Sequence, residues 1–336
     1  MKARILYVVV GLLCSLGGYR LAIAAPVLGV DFTGSYTVTS LGSVPGLPNN
    51  YGGLTFLDSD TILIGGAANT AGGRLYTVDV TRGTGSHITG FSGSPTVFGS
   101  VGEYNDGGVA FGPGGVLFTS RWPVNALGQT KPGSTDEDKI VDLAALGVAS
   151  SHAAVNFIPA GFPGAGGIRL VSWSGGQWYS ATLVADGSGT FDVTLVTQQD
   201  LDLIASGIQN VPGGPEGFVY IAAGNPGFLA NSLLISEYSA GSVGAYLSDA
   251  NGNPLVSTRR DFLTGLSGAE GATIDPVTGD FLFSTFGGGS QVVVVQGFDA
   301  PIPPRNGVVP EPSTLALLGL GLLGVAGFRS RRRTVN

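Results

Sequence analysis

The chain has 336 residues, 43% hydrophobic and 12% charged, enough apolar content for a packed core and too much for disorder as the main state. Its 57 glycines stand far above the usual share of about 7%, yet show no three-residue period, which excludes collagen and fits short strands joined by tight turns. Three lysines and thirteen arginines at a formal net charge of −7 cannot form the basic stripe that phosphate contacts require, so a nucleic-acid partner is excluded.

At the N-terminus Lys2 and Arg4 precede an uncharged apolar run from Ile5 to Leu16, and small residues follow at Ala22, Ala24 and Ala25. That layout predicts a secretory signal peptide over residues 1–24. A retained anchor is the alternative, and the run is shorter than the roughly 18 residues that span a bilayer. Cys14, the single cysteine, lies inside this segment, so the exported chain is expected to work without disulfides, thiolate ligands or a cysteine nucleophile.

Residues 25–300 read as one all-β domain. Alternating, β-branched runs such as Thr61 to Ile64, Leu75 to Val80, Val116 to Thr119, Gln177 to Val184 and Gln291 to Val295 are bounded by turn residues. Asp186-Gly187, Asn251-Gly252 and Asp275-Pro276-Val277-Thr278-Gly279 fit hairpin turns. Asp138 to Leu146 is the best candidate for a helix, and a short one. Asp136-Glu137-Asp138 reads as a solvated insertion, and Asp249 to Asn253 as a turn, since Pro254 and Arg260 stand where a calcium loop needs glycine and glutamate.

A repeat emerges on aligning Tyr51-Gly52-Gly53-Leu54-Thr55-Phe56, Asp106-Gly107-Gly108-Val109-Ala110-Phe111, His152-Ala153-Ala154-Val155-Asn156-Phe157, Glu216-Gly217-Phe218-Val219-Tyr220-Ile221 and Glu270-Gly271-Ala272-Thr273-Ile274-Asp275. The starts lie 55, 46, 64 and 54 residues apart. A period near 50 residues with about four strands per unit is the footprint of propeller blades. The expected fold is therefore a β-propeller of five blades, or six if the long third unit hides another, with Ser35 to Leu41 closing the ring beside the last unit. A β-sandwich or a parallel β-helix is the alternative. The Glu-Gly segments resemble those of gluconolactonase-like and NHL-like propellers.

The position that opens each inner strand holds Tyr51, Asp106, His152, Glu216 and Glu270. In a propeller these converge at one mouth of the central channel. Three carboxylates and a histidine there would repel one another unless a cation neutralised them, so Asp106, His152, Glu216 and Glu270 form a candidate site for calcium or another divalent metal. The gluconolactonase resemblance implies a ligand role for a glutamate in the Glu-Gly segment, at Glu216 and Glu270. The plain alternative is that these residues hydrogen-bond at turn entrances. No catalytic residue stands out: there are two histidines, His87 and His152, and no Gly-x-Ser-x-Gly elbow. Trp122, Trp173 and Trp178 are either core or, if exposed on one face, platforms for sugar rings.

After a linker at 301–308 come Val309-Pro310-Glu311-Pro312-Ser313, an uncharged run from Thr314 to Phe328, and Arg329, Arg331, Arg332 and Arg333. Motif, short apolar transmembrane helix and basic stop over residues 309–336 resemble the PEP-CTERM sorting signal of Gram-negative bacteria. The resemblance implies export across the inner membrane, recognition by an exosortase, and delivery to the cell surface or extracellular matrix, where such proteins accompany exopolysaccharide. From Ala25 to Pro310 nine basic residues face 22 acidic ones, a net of −13 that favours solubility and cation binding. The expectation is a surface or matrix binding or structural module with no firmly assigned cofactor, its partners being exosortase, the secretion machinery, and exopolysaccharide or other matrix components. The alternative is a metal-dependent, lactonase-like propeller hydrolase.

Overall fold

In the computed structural model, which describes residues 25–201 and 209–298, nearly every β-branched or aromatic run is a strand. Two strands come first, β1 (Val27–Leu28) and β2 (Thr37–Gly42). Blade 1 follows with β3 (Leu54–Phe56), β4 (Thr61–Gly66), β5 (Arg74–Arg82) and β6 (Ile88–Val97). Blade 2 holds β7 (Asn105–Phe111), β8 (Leu117–Arg121), β9 (Ala126–Thr130) and β10 (Lys139–Asp142), and blade 3 holds β11 (His152–Phe157), β12 (Ile168–Ser172), β13 (Trp178–Ala185) and β14 (Phe191–Gln198). Blade 4 is β15 (Pro215–Ile221), β16 (Ser232–Glu237), β17 (Ser242–Ser248) and β18 (Pro254–Thr264), and blade 5 opens with β19 (Ala269–Ile274), β20 (Phe281–Thr285) and β21 (Val292–Gln296).

The missing outer strand of blade 5 is β2, paired antiparallel with β21 through Thr37 to Gln296 and Val38 to Val295. The first and last strands thus close the ring, and β1 adds a fifth strand to blade 4 beside β18. The result is a five-bladed β-propeller. Among the described residues there are five sheets and no sixth blade: the long third unit forms one four-stranded sheet, β11 to β14, and the next strand is β15 of blade 4. The sandwich and β-helix alternatives fail because the five sheets are separate antiparallel meanders.

Strand alternation explains the packing. Along β4, Ile62 and Ile64 face blade 5 while Leu63 faces blade 2; along β20, Phe281 and Phe283 face blade 4 while Leu282 faces blade 1. These second strands are therefore apolar on both faces, and five hydrophobic clusters fill the five interfaces between neighbouring blades. Trp178 is fully buried between blades 3 and 4 against Phe218.

Near the start of the inner strands the axis is closed by backbone, where an open channel was expected. Gly53 donates its N–H to the Asp106 carbonyl at 2.7 Å. A Cβ on Gly271 would lie 2.6 Å from Gly53 Cα, and one on Gly107 would lie 2.7 Å from the Glu216 carbonyl carbon. Only glycine permits that approach.

Two local expectations are corrected. Asp138 to Leu146 forms β10 and a 3-10 turn (Ala144–Leu146), because Ile140 and Val141 pair with Gly128 and Leu127 and Gly147 ends the turn at φ 84°. Glu137 is no solvated loop residue: its buried carboxylate bonds Arg121 and accepts from Thr119 Oγ1. Asp249 does make the expected turn, accepting the N–H groups of Asn251 and Asn253. The signal peptide, the linker and the sorting helix lie outside the described residues, and no helix among the described residues is long and apolar enough to cross a membrane.

Candidate functional site

Asp106, Glu216 and Glu270 are each the second residue of an inner strand, in blades 2, 4 and 5. The pairing register of each strand breaks at that point, between Asn105 and Val109, Pro215 and Phe218, and Ala269 and Ala272. Such bulges re-aim side chains, and here one oxygen from each of the three carboxylates lies within 4.8 Å of the others. All three are buried, Asp106 and Glu270 at 0% and Glu216 at 4% exposure.

The cluster has no compensating positive charge among the described residues. No lysine, arginine or histidine among the described residues is ion-paired with it. Asp106 Oδ2, Glu216 Oε2 and both oxygens of Glu270 have no hydrogen-bond partner. Asn69, with its amide in the hydrogen-bonding orientation, donates to Asp106 Oδ1 at 2.9 Å and to the Asn105 carbonyl at 3.1 Å. Burial therefore holds the protons on: the Asp106 carboxyl is pushed up to about 8. Glu216 lies well above the carboxylate range through burial, then the charges of Asp106 and Glu270 and a hydrogen bond shared with Asp106, and Glu270 through burial and then Asp106.

The other two aligned positions do not join. Tyr51 is buried in blade 1, its hydroxyl accepting from Val44 N–H at 2.8 Å. The buried ring of His152 faces two carbonyls, Nδ1 to Ala126 at 3.2 Å and Nε2 to Ala154 at 2.9 Å, while burial lowers its pKa to about 4. Of the four expected ligands, the structure brings three together and sets His152 apart in blade 3.

A second set of residues stands at the same end, and of these the sequence pointed to Trp122 and Trp173 but not to Tyr238 and Phe286. The residue immediately after the second strand of each blade is Ala67, Trp122, Trp173, Tyr238 or Phe286. In every blade its N–H donates to the carbonyl one or two residues ahead of the aligned inner-strand position: Ala67 to Asn49 (3.0 Å), Trp122 to Tyr104 (2.9 Å), Trp173 to Ser151 (3.0 Å), Tyr238 to Gly214 (2.8 Å) and Phe286 to Gly268 (2.8 Å). Four half-buried aromatics thus occupy equivalent places and meet edge to face, with centroids 6.4 Å apart for Trp122 and Trp173, 6.2 Å for Trp173 and Tyr238, and 5.9 Å for Tyr238 and Phe286. Gly214 and Gly268, each two residues before a site glutamate, admit them; a Cβ on either would lie 2.8 Å from the Trp173 indole nitrogen or from Tyr238 Cε2. The Tyr238 hydroxyl is raised by burial first and then by the charges of Glu270, Glu216 and Asp106, so the ring stands beside the cluster. The collar is interrupted at blade 1, where Ala67 and Asn69 stand. A regular signal existed, aromatic residues following the second strand, but it becomes readable only once strand ends are known.

Fold and site together define a five-bladed propeller with an acidic, aromatic-rimmed end. The C-terminal segment carries a PEP-CTERM protein-sorting motif, matched over residues 308–333. That motif implies export and exosortase sorting to the cell surface or beyond in Gram-negative bacteria. Curated protein sequences give no significant match. Among solved structures the chain is similar to an auxiliary nutrient-binding protein from Bacteroides ovatus ATCC 8483 (10% identity, TM-score 0.42, covering 78% of this chain and 76% of that one). It is also similar to the PQQ-bound aldose sugar dehydrogenase from Streptomyces coelicolor (12%, 0.36, 76% and 83%) and to the PQQ domain of pyranose dehydrogenase from Coprinopsis cinerea (10%, 0.40, 81% and 97%).

Proposed function

We propose that the chain is an exosortase-sorted propeller that acts outside the cell as a binding module for matrix carbohydrate, taking its ligand at the aromatic rim. The observation that carries this reading is the collar of Trp122, Trp173, Tyr238 and Phe286, four half-buried rings at equivalent positions of consecutive blades. Aromatic faces of this kind offer flat apolar area beside polar edges, which suits the C–H faces and hydroxyls of a sugar ring. The course of the chain supports it. Strand β21 runs away from Glu270, so Phe298 packs on Phe281 and Tyr36 at the opposite end, and the path toward the sorting motif leaves from the face away from the rim. A net of −13 over residues 25–310 favours neutral over acidic polysaccharide.

Titrating the purified chain with neutral and acidic exopolysaccharide, following tryptophan fluorescence and heat, tests the reading. Binding of the neutral polymer, weakened at least tenfold by Trp122→Ala with the fold retained, supports it. Equal binding by the variant refutes the rim as the site, and turnover of lactones in the same samples would move the reading to the hydrolase. Sorting is tested separately: Glu311→Ala is expected to leave the protein in the inner-membrane fraction.

A further inference from the structure

We infer that Asp106, Glu216 and Glu270 form a buried calcium site under the rim, with the side-chain amide of Asn69 as a further oxygen ligand. The inference stands on a different observation from the carbohydrate reading. Four carboxylate oxygens of this cluster are buried without any hydrogen-bond partner, two of them on Glu270, which is entirely buried. Elsewhere in the molecule buried carboxylates are paired: Glu237 with Arg259, Tyr246 and Ser242, Glu137 with Arg121, Asp275 with Arg82. Leaving such oxygens bare is costly, more so when they are charged, and a bound cation removes that cost.

The donor set selects the ion. With His152 held between two carbonyls and no cysteine among the described residues, every donor at the cluster is an oxygen, which suits a hard cation and not zinc. Burial then separates calcium from magnesium: magnesium gives up its waters reluctantly and is seldom held in an all-protein cage, whereas calcium accepts carboxylate and amide oxygens on every side, and the three carboxylates here are buried with one oxygen of each within 4.8 Å of the others. Asn69 lies on the single blade without an aromatic collar residue, with one end of its amide 2.9 Å from Asp106 Oδ1. Rotating that amide by half a turn presents its oxygen in place of its nitrogen.

The test is calorimetric titration of the full chain, held in mild detergent and stripped with a chelator, with calcium, magnesium, manganese and zinc chlorides near pH 8, alongside thermal unfolding. The expected result is one calcium per chain, bound at least tenfold tighter than magnesium and raising the melting temperature. Glu270→Gln should weaken calcium at least a hundredfold, Asn69→Ala about tenfold, and Glu103→Gln, an exposed carboxylate on Arg121, not at all. Absence of stoichiometric calcium binding by the folded wild type, unchanged affinity in both site variants, or tighter zinc than calcium would each overturn the assignment. Calcium binding without carbohydrate binding keeps this site and removes the rim reading; the reverse removes the site alone.

Discussion

Strand β19 has a buried carboxylate at each end, and they are treated in opposite ways. Asp275, just past its far end, is gripped by both terminal nitrogens of Arg82 at 2.7 and 3.0 Å across the seam between blades 5 and 1, where His87 and Asp280 add a second contact at 2.6 Å. Glu270, at the rim end, faces two further carboxylates and no cation. Both are fully buried. A buried charge with its partner supplied by the fold holds blades together; a buried cluster without one is left for a partner from outside.

The contrast can be broken most forcefully at the paired end. Arg82→Ala leaves the buried Asp275 carboxylate without its cation, held only by the Val277 N–H and the Thr278 hydroxyl, and is expected to cost about 3–5 kcal/mol, read as a fall in denaturant midpoint with no change in calcium affinity. Between the two ends lies the closed axis. Gly271→Ala pushes a methyl into Gly53, 2.6 Å from its Cα, and should cost about 1–3 kcal/mol by overpacking, checked by thermal unfolding.

Acidity sharpens the comparison. In the metal-free protein the folded state keeps protons on Asp106, Glu216 and Glu270 that the unfolded chain releases near pH 4. Stability therefore falls as pH rises from about 4 towards 8, by about 1.4 kcal/mol per pH unit for each extra proton held. Saturating calcium should flatten that slope, and Glu270→Gln should flatten part of it without calcium. The smallest stability effect is expected at the rim: Trp122→Ala removes a half-buried ring and should shift stability by about 1 kcal/mol or less, while abolishing most carbohydrate affinity.

Much of this was legible in the residues. The small-residue starts at Tyr51, Asp106, His152, Glu216 and Glu270, glycine in four and alanine after His152, repeat because each inner strand must pass the others at the axis, and Ser35 to Leu41 read as a spare strand because the last unit had only three. The site was legible only in part. His152 occupies the same alignment column as the carboxylates, but the ring's position between the Ala126 and Ala154 carbonyls depends on blade 2 packing alongside, which brings in the Ala126 carbonyl. The collar was hidden for another reason: Trp122, Trp173, Tyr238 and Phe286 share a backbone position and not a residue type, and Trp178, which looked equivalent, is core. That the axis would close was written in glycines whose contacts are with other blades.

The most direct measurement is a crystal structure of the calcium-equilibrated protein with anomalous scattering recorded at long wavelength. One calcium peak is expected within about 2.3–2.6 Å of oxygens from Asp106, Glu216 and Glu270, with the Asn69 amide oxygen turned towards it. No peak at saturating calcium, and carboxyls instead hydrogen-bonded to one another, would contradict the assignment.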